Sequence, residues 1–154
     1  MLSVDGGADA AVETRIRIGW NKFRQLVPLL TKDISLSVRG RLYSYSSCVQ
    51  SSMLHGSETW PVRKENEVAL QRAEMRMVRW MCGVELQDRV LSKGLRERLG
   101  LDDIISVLQQ NRLQWHGHVL RKEDNDWVKK RMEYEVEGAR PRGRPKKTWR
   151  DCGL

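Results

Sequence analysis

The sequence predicts an all-α, or mostly α, fold: a small helical bundle followed by an extended basic C-terminal arm. Three observations carry this. Apolar residues recur at steps of three and four through successive segments, no run reads as a credible strand, and the closing stretch is rich in Pro, Gly, Lys and Arg. A chain of 154 residues is long enough to bury a real core.

Residues 1–8 are expected to be a flexible lead-in, with Asp5-Gly6-Gly7 as a turn signal. Beyond it Val12, Ile16, Gly19, Phe23, Leu26 and Leu30 fall on one helical face. Asp9 suits the N-cap, and Pro28 ends or bends the last turn. A second helix is predicted from Ser35 to Met53 through Val38, Leu42, Tyr45 and Val49, with Ser44, Ser46 and Ser47 in its middle. His55 to Pro61 breaks it, and Thr59-Trp60 ahead of Pro61 is expected to be extended.

The third helix, Lys64 to Cys82, is expected to bury Leu70, Ala73, Met77, Trp80 and Met81. Arg72, Glu74, Arg76 and Arg79 would then face water, and Gly83 suits a left-handed C-terminal position. A short helix from Lys93 to Leu99 stops at Gly100, and Asp102 caps a longer one reaching Arg121. Ile105, Leu108, Trp115 and Val119 line its inner face, while Arg112, Arg121 and Lys122 gather toward its C-terminal end, where the helix dipole favours cations. Residues 9–122 thus form the expected core, 123–137 a charged connector and 138–154 the arm. Six of the ten aromatics are Trp, and Trp20, Trp60, Trp80 and Trp115 are expected to be packing anchors.

Lys and Arg number 28 against 20 Asp and Glu, giving a formal charge of +8. Such a balance points to an acidic partner, most simply nucleic acid. Residues 138–150 alone hold six basic residues and no acidic one, so residues 1–137 carry only 22 basic against 19 acidic. Cys48, Cys82 and Cys152 form an odd set without a CxxC pair, which suits reduced thiols. Neither a basic-then-apolar leader nor a membrane-length apolar run is present. A nuclear or cytoplasmic setting is expected, with no membrane partner and no secretion.

The catalytic inventory is thin. No G-x-S-x-G elbow, Gly-rich phosphate loop or zinc spacing occurs. His116 and His118 are two apart on a predicted helix, hence on nearly opposite faces, and Asp102-Asp103 has the context of a helix start. No catalytic residue, metal site or cofactor is assigned.

The tail carries the sharpest motif. In Arg142-Gly143-Arg144-Pro145 the glycine lets the backbone approach a groove floor and the proline keeps the strand extended. The two arginines then suit a narrow, electronegative A·T-rich minor groove. Arg140, Lys146, Lys147 and Arg150 are expected on phosphates. RPRGRPKK resembles an AT-hook, with a localisation signal or a solvated basic tail as alternatives. For the whole chain this leaves open an A·T minor-groove architectural protein with the core as spacer or dimer module, or an inactive helical scaffold. Trp149 is either a base-stacking side chain or an exposed one.

The ordered blocks DGGADAAVETRIRIGWNKFRQL, HGSETW, QRAEMRMVRWMCGV, LRERLGL, NRLQWHGHVLR and RPRGRPKKTWRDC span nearly the whole chain. Together they resemble the C-terminal part of the reverse transcriptase of non-LTR (LINE-type) retrotransposons. The resemblance implies that residues 9 to about 85 correspond to the end of the palm and the helical thumb, with the post-thumb region beyond. It gives Arg72, Arg76 and Arg79 a phosphate-contacting role on DNA, RNA or their hybrid. The family's catalytic aromatic-x-Asp-Asp hairpin lies upstream of these blocks, and the Mg²⁺ of full-length relatives is held there. His55 also stands where the family usually has an aromatic residue, and Met1-Leu2-Ser3-Val4 where a palm strand should lead in. The chain alone is therefore expected to be a non-polymerising fragment, without palm or endonuclease. Its partners would be nucleic acid, and either the missing palm or a second copy meeting exposed apolar helix faces.

Overall fold

The structure, a computed structural model, describes residues 6–45 and 48–133; these form helices and turns, with no strand among the described residues. Helix α1 spans Gly6–Leu30. It begins three residues ahead of Asp9, which therefore lies in the first turn and not at the cap. The Asp9 carboxylate instead accepts from Asn66 Nδ2 at 2.8 Å. Pro28 sits within the last turn, and the helix ends two residues later.

The predicted second helix is two helices, α2 (Leu36–Ser44) and α3 (Val49–Leu54). Tyr45 leaves the helical path with φ −58° and ψ 153°. Around the break, serine hydroxyls bond to nearby backbone: Ser44 Oγ donates to the Arg41 carbonyl, and Ser51 and Ser52 donate to that of Cys48. Such local bonds offer the backbone an alternative to the helical ladder, which is why apolar spacing alone overran the break.

Gly56, at φ +79°, opens a 3₁₀ turn over Ser57–Thr59. Only Trp60 is extended ahead of Pro61, at φ −80° and ψ 139°; Thr59 belongs to the turn. Helix α4 spans Lys64–Cys82, as the spacing predicts, and Gly83 follows at φ +65°. Two departures on α4 are large. Glu74, expected to face water, is fully buried, and Trp80, expected inside, is 44% exposed.

Helix α5 covers Ser92–Leu99 and α6 covers Ile104–Leu120. Asp103, not Asp102, holds the N-cap position of α6, and its side chain makes no capping bond. Arg112 also departs from expectation. It is buried on the inner face of α6 and donates to the carbonyls of Ser57 and Trp60, pinning the 3₁₀ turn. A further helix, α7 (Trp127–Glu133), occupies part of the expected connector.

Val12, Phe23, Leu30, Tyr43, Met53, Leu70, Met77, Leu95, Leu99 and Leu108 belong to one core drawn from α1 to α6. Two ties fix how α1 and α4 lie. Asp9 bonds Asn66 and Phe23 meets Trp80, pairs both 57 residues apart, so the two helices run parallel and in register for about 21 Å. Arg39 of α2 reaches across to the Met81 carbonyl at 2.9 Å and so satisfies the C-terminal end of α4.

Gly40 sets the closest approach in the core. A Cβ there would stand 1.8 Å from the Leu99 carbonyl oxygen, so α2 and α5 cross backbone to backbone. Gly40→Ala is expected to cost about 3 kcal/mol or more in urea denaturation, because a carbonyl cannot rotate away as a side chain can. Gly94→Ala, in the open interior of α5 with nothing within 4 Å, should stabilise by about 0.5–1 kcal/mol. Equal effects at the two sites would contradict this packing.

Candidate nucleic-acid interface

Perturbed acids mark candidate active sites, and the buried Glu74 carboxylate is one. Glu74 Oε2 accepts from Arg96 Nη2 at 2.9 Å, from Arg96 Nε at 3.2 Å and from the Ile104 backbone N–H at 3.5 Å. Its Oε1 accepts from Gln50 Nε2 at 3.4 Å. Asp103 lies 2.9 Å from Arg96 and completes the ion cluster. The N-terminus of α6 is thus satisfied by a carboxylate from α4 and not by its own residue. Burial raises the Glu74 carboxyl above its ordinary value, against the opposing pull of Arg96. Burial likewise raises Tyr43 well above the usual phenol value, with the Glu74 charge adding to it. All four contacts to Glu74 are internal and join helices, which is the work of a structural cluster.

Elsewhere the acid and thiol chemistry is sparse. No group of three or more His, Cys, Asp or Glu placed to hold a metal occurs among the described residues. Cys48 and Cys82 are both free, and burial raises the Cys82 thiol. The Trp115 ring lies 5.8 Å from that of His118. No helix among the described residues is long and apolar enough to cross a membrane.

The second candidate is a surface. The parallel register of α1 and α4 sets an aromatic seam, the furrow, along their outer side. Phe23 forms its floor, meeting Trp20 edge-on at 5.8 Å and Trp80 edge-on at 5.4 Å between centroids. Trp20 is half-buried and Trp80 more exposed, so both present aromatic surface to solvent. At 100° per residue, Arg17 and Arg24 flank Trp20 on α1, while Arg72 and Arg76 flank Trp80 on α4. All four arginines are exposed, and none has a hydrogen-bond or ion-pair partner among the described residues. Glu13 and Glu65 share this flank, nearer the N-terminal ends of the helices.

Of the residues that the sequence singles out, Arg72, Arg76 and Arg79 do share one face of α4. Arg79 differs from the other two: it is half-buried and donates from Nη1 to the Glu85 carbonyl at 2.8 Å, closing the loop after α4. Arg140, Arg142, Gly143, Arg144, Pro145, Lys146, Lys147 and Arg150 lie outside the described residues, as does Trp149. Arg17 and Arg24 were not singled out from sequence. Their phase with Trp20 is readable there, but the register that sets them beside α4 is a tertiary fact. Residues 6–133 hold 22 basic against 16 acidic side chains, so the helical part carries a surplus equal to that of residues 138–150. Leu113 and Leu120 of α6 are each 52% exposed on one face.

No family model, curated protein or solved structure matches the chain.

The raised Glu74 carboxyl fixes a sign for the pH dependence of stability. The folded chain holds that proton more tightly than the unfolded chain. The resulting stabilisation is complete below the unfolded carboxyl value of about 4.3 and is lost as pH climbs through the folded pKa. Relative to Glu74→Gln, the native chain is expected to lose stability as pH rises upward from about 4. Urea denaturation of both proteins across that range measures it, and a rising difference would contradict the assignment.

Proposed function

We propose that this chain is a nucleic-acid-binding helical domain that grips phosphates without sequence preference. In this reading it is the thumb and post-thumb portion of a non-LTR retrotransposon reverse transcriptase. The observation that carries the reading is the α1/α4 furrow, where four arginines without a partner among the described residues flank half-buried Trp20 and exposed Trp80. A guanidinium fits a phosphate bidentately, and each phosphate neutralised releases counterions, which gives affinity with a steep salt dependence. Aromatic surface between the cations suits sugar or base contact and is indifferent to sequence. The order of the sequence blocks supports the same reading, because a polymerase thumb holds the template–primer backbone. Polymerisation itself would belong to the palm of a full-length relative, with its Mg²⁺.

A second reading rests on the tail. RPRGRPKK favours an A·T minor-groove protein in which the helical part is a spacer or dimer module. The two readings separate on substrate: the thumb prefers RNA–DNA hybrid with little sequence dependence. The tail reading prefers A·T-rich duplex and yields to a minor-groove drug.

Salt titration of binding to a labelled hybrid tests the proposal. Removing residues 138–154 is expected to lessen the slope of log K against log salt by about 5, for six phosphates. Replacing Arg17, Arg24, Arg72 and Arg76 together by Ala should lessen it by about 4 at unchanged fold. A slope untouched by the four-alanine variant would remove the furrow from the interface. Drug-sensitive preference for A·T-rich duplex would favour the tail reading.

A further inference from the structure

A cavity of about 320 Å³ opens where α3, the 3₁₀ turn and α6 meet, apart from the residues of the furrow. Its lining pairs two kinds of surface. Leu54 and Val107 give apolar walls, while Gln50, Asn111, His55 and Glu58 give polar groups. Polar residues that close a fold bond one another, but these do not. Asn111, His55 and Glu58 have no side-chain hydrogen bond or ion pair among the described residues. Gln50 is 6% exposed and held in orientation, since its Nε2 donates to Glu74 Oε1 at 3.4 Å. That bond leaves its Oε1 as a fixed acceptor without a partner among the described residues.

We propose that this cavity receives a single unpaired nucleobase of a bound strand, an inference that rests on the nucleic-acid reading above. The size suits one planar heterocycle, and apolar walls suit its faces. Amide side chains present a donor and an acceptor side by side, the pattern that matches a base edge. Among the described residues no Lys or Arg lines the cavity, and Glu58 brings negative charge, so a phosphate is disfavoured inside and stays outside with the strand. Two carboxylate or amide oxygens, from Glu58 and Gln50, accept from an exocyclic amine. Adenine offers one, with two donor hydrogens for the two oxygens; uracil offers a single N3–H between two carbonyls, and those carbonyls meet the oxygens unfavourably.

The test uses the full chain and three labelled RNA–DNA hybrids: blunt, with an eight-adenine single-stranded RNA tail, and with an eight-uracil tail. The A-tailed hybrid is expected to bind about tenfold tighter than the U-tailed one. Asn111→Ala and Glu58→Gln, each at a partially exposed position with no internal bond to lose, should each erase most of that preference and leave blunt-hybrid affinity unchanged. Binding of the blunt hybrid without an A-over-U preference overturns the base pocket and spares the nucleic-acid reading. A preference that both variants retain places the base elsewhere and also overturns it. Failure of all three hybrids to bind overturns both.

Discussion

The fold turns on one buried carboxylate. Glu74 sits on α4 with no solvent exposure, and its two oxygens take bonds from α3 through Gln50, from α5 through Arg96 and from the first amide of α6. An isolated charge in such a place costs several kcal/mol, and removing one partner of a buried pair costs about 3–5 kcal/mol. Four elements are therefore obliged to meet where those donors stand. Apolar side chains pack in many arrangements of similar energy; the carboxylate admits few. Tyr43 is fully buried beside it, and the Glu74 charge adds to the burial that raises its hydroxyl well above the usual phenol value.

Because Glu74 fixes the inner side of α4, it also fixes what α4 turns outward. The residues a half-turn away are Arg72, Arg76 and Arg79, and the Asp9–Asn66 and Phe23–Trp80 ties bring α1 alongside in parallel. A cationic furrow over aromatic rings follows from that register. The same carboxylate holds Gln50 in place at the rim of the polar cavity. Interior electrostatics and outer surface are thus two consequences of one helix orientation.

Much of the helical plan was legible in the sequence, for physical reasons that differ by element. The α4 boundaries and the glycine stops at Gly83 and Gly100 follow from periodicity and from the left-handed backbone that glycine takes readily. The α2/α3 break was not legible from apolar spacing, since Val38 to Met53 keep their phase across it; serine hydroxyls bonded to nearby carbonyls accompany it on both sides. Glu74 was misread because a charged residue defaults to water, and only tertiary donors from Gln50, Arg96 and Ile104 reverse that default. The burial of Arg112, grouped in the sequence only with the cations toward the end of α6, was not legible either, its partners being carbonyls more than fifty residues away. Of the proposed interface, the shared face of the α4 arginines was legible from helical spacing, whereas the placement of Arg17 and Arg24 beside it needed the register of α1 against α4.

In the proposed function, a folded surface, and not the basic tail alone, meets nucleic acid. Amide chemical-shift mapping of the uniformly ¹⁵N-labelled full chain, titrated with RNA–DNA hybrid, addresses it most directly. The account predicts perturbations running along residues 17–24 and 72–80 at the same hybrid concentration that perturbs residues 138–150. Perturbations confined to residues 138–150, with α1 and α4 unmoved at saturation, would contradict it.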